Sequence, residues 1–276
     1  HHLRLWGTKS GREALVLPGD RGHWFDNERY VFTVTADRKV HIWQADSGDE
    51  RLTLIGPQED VAYASWMDDG TRLMIGGGEK NDMTGYCLEG TVHAWDAIQG
   101  TELFKLDGNM KEVGQMEWNE DHSRIYTTGC EKRNEQSWCT GSTLRVWDGT
   151  NGAELYALSG HTHFIDDASW DQSGRYILTA SRDGTVRKWD AEEGKQLYVV
   201  QAHSGGANQA LWNTDETQFL TSGCDHEDSD GFCDQGSAKV WGTETGKEIF
   251  TLAGHTDEVY EAVWSPDERL ILTRSY

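Results

Sequence analysis

The chain has 276 residues, with 47 acidic against 25 basic side chains and a net charge of −22. Such a field repels phosphate backbones, which argues against nucleic-acid binding and favours basic partners or cations. No run approaches the ~18 apolar residues of a membrane span, and no secretory leader pattern can be read. The first residue is not Met, so the expectation is a processed product, a fragment or a sequence read without its start.

Twelve of the thirteen tryptophans fall on one repeat. An early mark recurs at Trp24, Trp66, Trp118, Trp170, Trp212 and Trp264, and a later one at Trp6, Trp43, Trp95, Trp147, Trp189 and Trp241. Trp138 alone lies off it. Apart from the 37 residues between Trp6 and Trp43, copies follow one another at 42 or 52 residues, the spacing of radially repeated β-sheets. Neighbouring copies must cover each other's apolar faces, so residues 1–276 are read as one domain. Burying each repeated indole supplies at most about 4–6 kcal/mol, which makes these residues core.

In chain order, residues 2–17 read as the third and fourth strands of a unit that lacks its first two. Residues 19–54 form a copy five residues short before Trp24, which predicts the least regular sheet. Residues 158–200 are one complete unit. Its first strand is 164–170, with Ile165, Ala168 and Trp170 inward; small middle residues suit a strand near a central axis. Residues 176–180 are rich in β-branched and aromatic side chains and read as the second strand. Asp183-Gly184 is a two-residue hairpin signal, the third strand ends at Trp189, and 196–200 is the fourth. Lys188 breaks the period-2 pattern of the third strand. Residues 259–276 read as first and second strands. Joined to the opening pair they complete one sheet, which closes the ring and removes bare strand edges. The same strands could instead complement another molecule, giving a homo-oligomer or a head-to-tail polymer.

Gly160-His161, Ser181, Asp183 and Trp189-Asp190 resemble the marks of the WD-repeat β-propeller family. The resemblance implies an all-β, six-bladed propeller of four-stranded antiparallel blades. It also implies a hydrogen-bonded tetrad of His161, Ser181, Asp183 and Trp189 that ties the loop before the first strand to the third strand. Elsewhere the marks decay: Gly-His recurs at Gly254-His255, Ala202-His203 is close, and other loops read Gly56-Pro57 and Gly108-Asn109. One unit therefore carries the full tetrad on this reading.

Three copies carry ten extra residues between second and third strands, at 77–87, 129–139 and 223–233. Cys130 and Cys139 lie 17 and 8 residues before Trp147, and Cys224 and Cys233 lie 17 and 8 before Trp241. Pairs in one repeat frame, flanking a polar loop, predict two loop-closing disulfides and hence an extracellular or otherwise extracytoplasmic setting; reduced cysteines would point to the cytoplasm. Cys87 is left over, since Gly78 stands where its mate belongs. Asp225, Glu227, Asp228 and Asp230 crowd one loop and offer calcium ligands, but the EF-hand frame fails around Gly231, so a solvated acidic loop is the reading, with no metal and no cofactor.

No HExxH, GxSxG, Gly-rich phosphate loop or CxxC is present. The sequence thus points to a non-catalytic scaffold or structural subunit that presents loops to protein partners. Each long loop carries an aromatic before its second cysteine position, Tyr86, Trp138 and Phe232, and these are the expected partner anchors. Two alternatives stand beside this: the recognition propeller of a larger signalling protein, and a propeller enzyme with an unrecognised site.

Overall fold

The computed structural model describes residues 2–25, 29–37, 39–56, 60–66, 71–81, 87–110, 112–134, 139–229 and 231–276. Every regular element among them is a β-strand. None of the described residues forms a helix long and apolar enough to cross a membrane. The chain divides into two compact units, His1–Val113 and Gly114–Tyr276.

The first unit opens with a two-stranded sheet of β1 (His2–Trp6) and β2 (Glu13–Pro18). A four-stranded sheet follows, β3 (Arg21–Phe25), β4 (Tyr30–Val34), β5 (Lys39–Gln44) and β6 (Glu50–Ile55). The next comprises β7 (Asp60–Trp66), β8 (Arg72–Asn81), β9 (Cys87–Asp96) and β10 (Thr101–Met110). In the second unit the sheets are β11 (Glu112–Trp118), β12 (Arg124–Arg133), β13 (Cys139–Asp148) and β14 (Glu154–His161); β15 (Ile165–Trp170), β16 (Tyr176–Ser181), β17 (Thr185–Asp190) and β18 (Lys195–Gln201); and β19 (Gly206–Trp212), β20 (Gln218–Glu227), β21 (Cys233–Gly242) and β22 (Lys247–His255). A two-stranded sheet of β23 (Val259–Trp264) and β24 (Ile271–Ser275) ends it. Each sheet pairs consecutive strands antiparallel, as short turns between them require.

The core lies between successive sheets. Leu144, Val146 and Leu158 meet Ile165, Ala168, Ile177 and Trp189. Leu178, Ala180 and Val186 on the opposite face meet Ala207, Ala210, Phe219 and Trp241. The second and third strands are buried on both faces, while β18 is largely exposed. The first unit repeats the scheme, with Val40, Ile42 and Leu54 against Leu73 and Ile75. Sheets stacked in series through such clusters form a β-propeller. Gly184 turns at φ 79°, and a Cβ there would run into the His203 carbonyl, so only glycine fits this hairpin.

Innermost strands face no neighbour on one edge, and side chains of the preceding sheet satisfy them. Gln115 Oε1 accepts the Ala168 N–H at 2.7 Å, Asp167 Oδ2 accepts that of Ala210 at 3.0 Å, and Gln209 Oε1 accepts that of Ala262 at 3.0 Å. All three acceptors stand three residues before an early tryptophan, and all three donors two before the next. The carboxylate after the later tryptophan also has a fixed task. Asp190 Oδ1 accepts the N–H groups of Glu192 and Glu193, both at 2.9 Å, and Asp148 and Asp96 close the equivalent turns.

Three expectations change. The five-residue deletion before Trp24 does not disorder its sheet. The pairings of β3 with β4 and β4 with β5 run without a register shift, whereas the described inner pairings of the other sheets carry a bulge after Val61, Ile165, Ala207 or Val259. The ten extra residues lengthen strands as well as loops, since β8, β9, β12, β13, β20 and β21 each span 10 residues. Lys188, the break in the pattern, is buried, its ammonium 4.4 Å from the Tyr176 ring centre and 5.5 Å from that of Trp212. The aliphatic stem packs as an apolar residue would and the rings receive the charge.

Candidate functional site

The loop that precedes β15 is tied to its sheet by a four-residue relay. Trp189 Nε1–H donates to Thr179 Oγ1 at 3.0 Å, and Thr179 lies 2.7 Å from His161 Nε2. His161 Nδ1 lies 3.0 Å from Asp183 Oδ2. The carboxylate assigns the tautomer: Asp183 can only accept, so Nδ1 carries the proton, and Nε2 of the neutral ring accepts the threonine hydroxyl. A neutral imidazole satisfies every bond. Burial accordingly lowers the His161 pKa, against the opposing pull of Asp183. Burial pushes the Asp183 carboxyl up, but hydrogen bonds from His161 and Thr185 outweigh it and hold the group well below the usual carboxylate range. Asp183 also accepts the Thr162 N–H at 2.9 Å, which pins the loop itself.

The hydroxyl in this relay belongs to Thr179; the expectation placed Ser181 there. Ile177 sits directly across from Trp189, so Thr179 is its diagonal neighbour on the same face and Ser181 lies a further step away, beyond an indole's reach. Ser181 Oγ instead accepts the Asp183 N–H at 3.1 Å and donates to the His163 carbonyl at 3.4 Å.

A second complete relay was missed. Trp241 donates to Thr221 at 3.0 Å, Thr221 lies 2.9 Å from His203 Nε2, and His203 Nδ1 lies 2.9 Å from Asp225. Burial again lowers the histidine's pKa. Asp225, pushed up by burial, is brought well below its ordinary range by His203, Lys239 and Ser237. His255 and Thr273 begin a third at 2.8 Å, with Ser275 in the acid's place at 2.9 Å. Trp43 with Thr33 and Trp147 with Thr127 keep the indole–threonine bond, each at 2.9 Å. The signal was in the spacing: histidine, then threonine 18 residues on, then the acid 22 on.

Both Asp225 oxygens are engaged within the protein, by His203, Lys239 and Ser237. Asp228 Oδ1 accepts the Phe232 N–H at 2.9 Å, Glu227 is exposed at the end of β20, and Asp230 lies outside the described residues. No group of three or more His, Cys, Asp or Glu gathers among the described residues. Both expected cysteine pairs are joined, Cys130 to Cys139 with Cα atoms 5.9 Å apart and Cys224 to Cys233 at 5.8 Å.

In the second unit these loops surround a cavity of about 530 Å³. Phe164 is flanked by the guanidinium groups of Arg133 and Arg182, each 5.7 Å from its ring centre, and Arg182 pairs with Asp166 at 2.9 Å. Asn208 donates to Glu258 at 2.8 Å, and the Tyr260 and Tyr276 rings meet at a tilt of 38° with centres 4.6 Å apart. Glu227, on the same wall, pairs across the hairpin with Cys233, next to Phe232. Phe232 is 71% exposed on a turn closed by reciprocal bonds with Asp228. Tyr86 and Trp138, the other expected anchors, lie outside the described residues.

The family model "WD domain, G-beta repeat" matches residues 152–190 and 246–276. The chain is 24% identical over 250 residues to the WD repeat-containing protein srw1 of Schizosaccharomyces pombe, covering 91% of this chain and 40% of that protein. It is 29% identical over 168 residues to the chromatin assembly factor 1 subunit FAS2 homolog of Oryza sativa subsp. japonica, covering 57% and 30%. The chain thus spans less than half the length of these relatives. Among solved structures it resembles the computationally designed Ika8 protein at a TM-score of 0.73 and 18% identity, over 99% of this chain and 74% of that one, which shows the fold.

These relatives overturn the extracytoplasmic placement. Besides chromatin assembly, matched proteins are named for association with a small nucleolar RNA and for transcription, which are intracellular settings. The cysteine spacing reports which side chains meet across a hairpin, and that geometry is independent of compartment. Indole–threonine bonds at repeat spacing, serial sheets and the matched repeats lead to one conclusion: the chain carries WD repeats, matched at residues 152–190 and 246–276, and is similar to WD-repeat proteins.

Proposed function

We propose that the chain is a non-catalytic protein-interaction scaffold whose contact face is the loop end of the sheets around the cavity of the second unit. The observation that carries this is Phe232, a large apolar side chain held out to solvent on a turn fixed at both ends by Asp228 and by the Cys224–Cys233 bridge. Exposed aromatics on a fixed support lose little entropy on docking and dominate binding energy. Trp138 holds the same place in its repeat within the second unit, as Tyr86 does in its own repeat of the first. Glu227 and Glu258 line the cavity, and the chain's charge is −22, so the partner is basic at its point of contact. The relatives add a general support, since one is by name a subunit of an assembly factor.

A photo-crosslinking side chain placed at position 232 in the native host tests this. A protein adduct that disappears on Glu258→Lys is the expected result. No adduct, or the same adducts from position 193 on the turn between β17 and β18, would sink the proposal.

A further inference from the structure

We propose that the Cys224–Cys233 bridge is a thiol–disulfide switch that sets the Phe232 turn, while Cys130–Cys139 is a fixed cross-link. The two pairs occupy the same frame. Cys130 lies opposite Ser142 and Arg133 opposite Cys139, with register shifts on both sides of Lys132. Cys224 lies opposite Gly236 and Glu227 opposite Cys233, with shifts on both sides of His226. They differ in access. Cys130 and Cys139 are 0% and 2% exposed, and Cys224 is 2% exposed, whereas Cys233 is only half-buried. Exchange requires an attacking thiolate to approach a sulfur in line with the bond it breaks, so access decides which bridge reacts.

The reductant is a dithiol. Its thiolate attacks Cys233 Sγ, the S–S bond breaks, and its electron pair leaves on Cys224, which takes a proton. The dithiol's second thiolate then attacks its own sulfur in the mixed disulfide and releases Cys233, which is protonated in turn. Two electrons and two protons pass to the protein, and the dithiol becomes a disulfide. The product is accommodated where it forms. Cys224 Sγ lies 3.1 Å from the His226 carbonyl, an acceptor for a new thiol, and a Cβ on Gly205 would come within 2.9 Å of it. The next residue, Asp225, stays anchored by His203, Lys239 and Ser237. Reduction therefore leaves β20 in place and frees the Cys233 side, where Phe232 sits. The consequence for binding rests on the scaffold reading above; the chemistry does not.

The folded chain is treated with dithiothreitol, samples are alkylated at intervals, and peptides carrying each cysteine are quantified. Cys224 and Cys233 are expected to react about tenfold or more faster than Cys130 and Cys139. Tryptophan fluorescence should stay native, hydrogen exchange over 228–232 should rise, and oxidised glutathione should reverse both changes. The Cys224→Ser, Cys233→Ser double variant should show the raised exchange without reductant. Loss of both bridges together, the reverse order, reaction only with unfolding, or unchanged exchange over 228–232 would each overturn the proposal. None of these readouts involves a partner, so the crosslinking experiment fails or succeeds separately.

Discussion

The indole of Trp189 and the imidazole of His161 never touch as hydrogen-bond partners; both bond the single hydroxyl of Thr179, at 3.0 and 2.7 Å. That hydroxyl spends its one proton on the histidine and its lone pairs on the tryptophan. Removing it strands two buried polar groups at once.

Thr179→Val keeps the branched shape and deletes the hydroxyl. We expect a loss of about 1–3 kcal/mol in urea unfolding, the cost of buried groups left without partners, and recovery of most of it in Thr179→Ser. A Thr179→Val loss below about 0.5 kcal/mol would show that the relay contributes nothing to stability.

Acid should act on the relays in two stages. His161 and His203 have pKa values lowered by burial, so the unfolded chain binds protons first as pH falls. Stability present above the unfolded value of about 6.5 is therefore lost as pH drops below it. Asp183 and Asp225 titrate below their ordinary range, so their contribution is present above the unfolded value of about 3.9 and is lost as pH falls further. Melting temperatures recorded from pH 8 to pH 3 should fall in both windows. The double variant His161→Gln, His203→Gln should lose the upper step and shrink the lower one, because Asp183 and Asp225 lose a main source of their lowered pKa values; a flat wild-type profile between pH 7 and 5 contradicts the assignment of neutral imidazoles.

A third bridge can be built. Gly78 lies opposite Gly90 and Asn81 opposite Cys87, the register of the two cysteine hairpins with the same pair of shifts. Gly78→Cys should pair with Cys87, leaving the oxidised protein lighter than its dithiol form by two hydrogen atoms, and add about 2–3 kcal/mol to its stability. Two free thiols in the folded variant would show that the matching register does not bring the side chains together.

The terminal two-stranded sheets carry exposed apolar side chains. Trp6 is 58% exposed, and Leu270 and Leu272 are 72% and 71% exposed. The sequence reading closes these strands on one another, and on that reading the 276-residue chain runs as one monomeric species in sizing at micromolar concentration. A ladder of multimers would reveal completion between molecules instead.

Much of this was legible because tryptophan is large and rare. Its spacing located the sheets, and the observed β15, β16 and β18 differ from the sequence reading by one residue at their ends. The cysteine pairs were legible for the same reason, since a fixed offset from Trp147 and Trp241 places them opposite each other. The relay was only partly legible. Attention to Gly-His letters hid His203, which follows Ala202, and Asp225 was read as one more charge in an acidic loop. The relay constrains distance along a face, and Thr179 and Thr221 satisfy that constraint whatever the neighbouring letters are. Phe232 was placed by its frame, but its exposure depends on the Asp228 turn, a side-chain-to-backbone bond that composition does not reveal.

The side chains of Gln115, Asp167 and Gln209 each hold a main-chain donor of the following sheet. Within the second unit the sheets are therefore joined like the staves of a cask, each hooping the next. Peeling one away exposes an orphaned amide in its neighbour, so this unit should melt as a whole. Denaturant should reveal one sharp transition across its tryptophans, with no plateau at which a single sheet has departed.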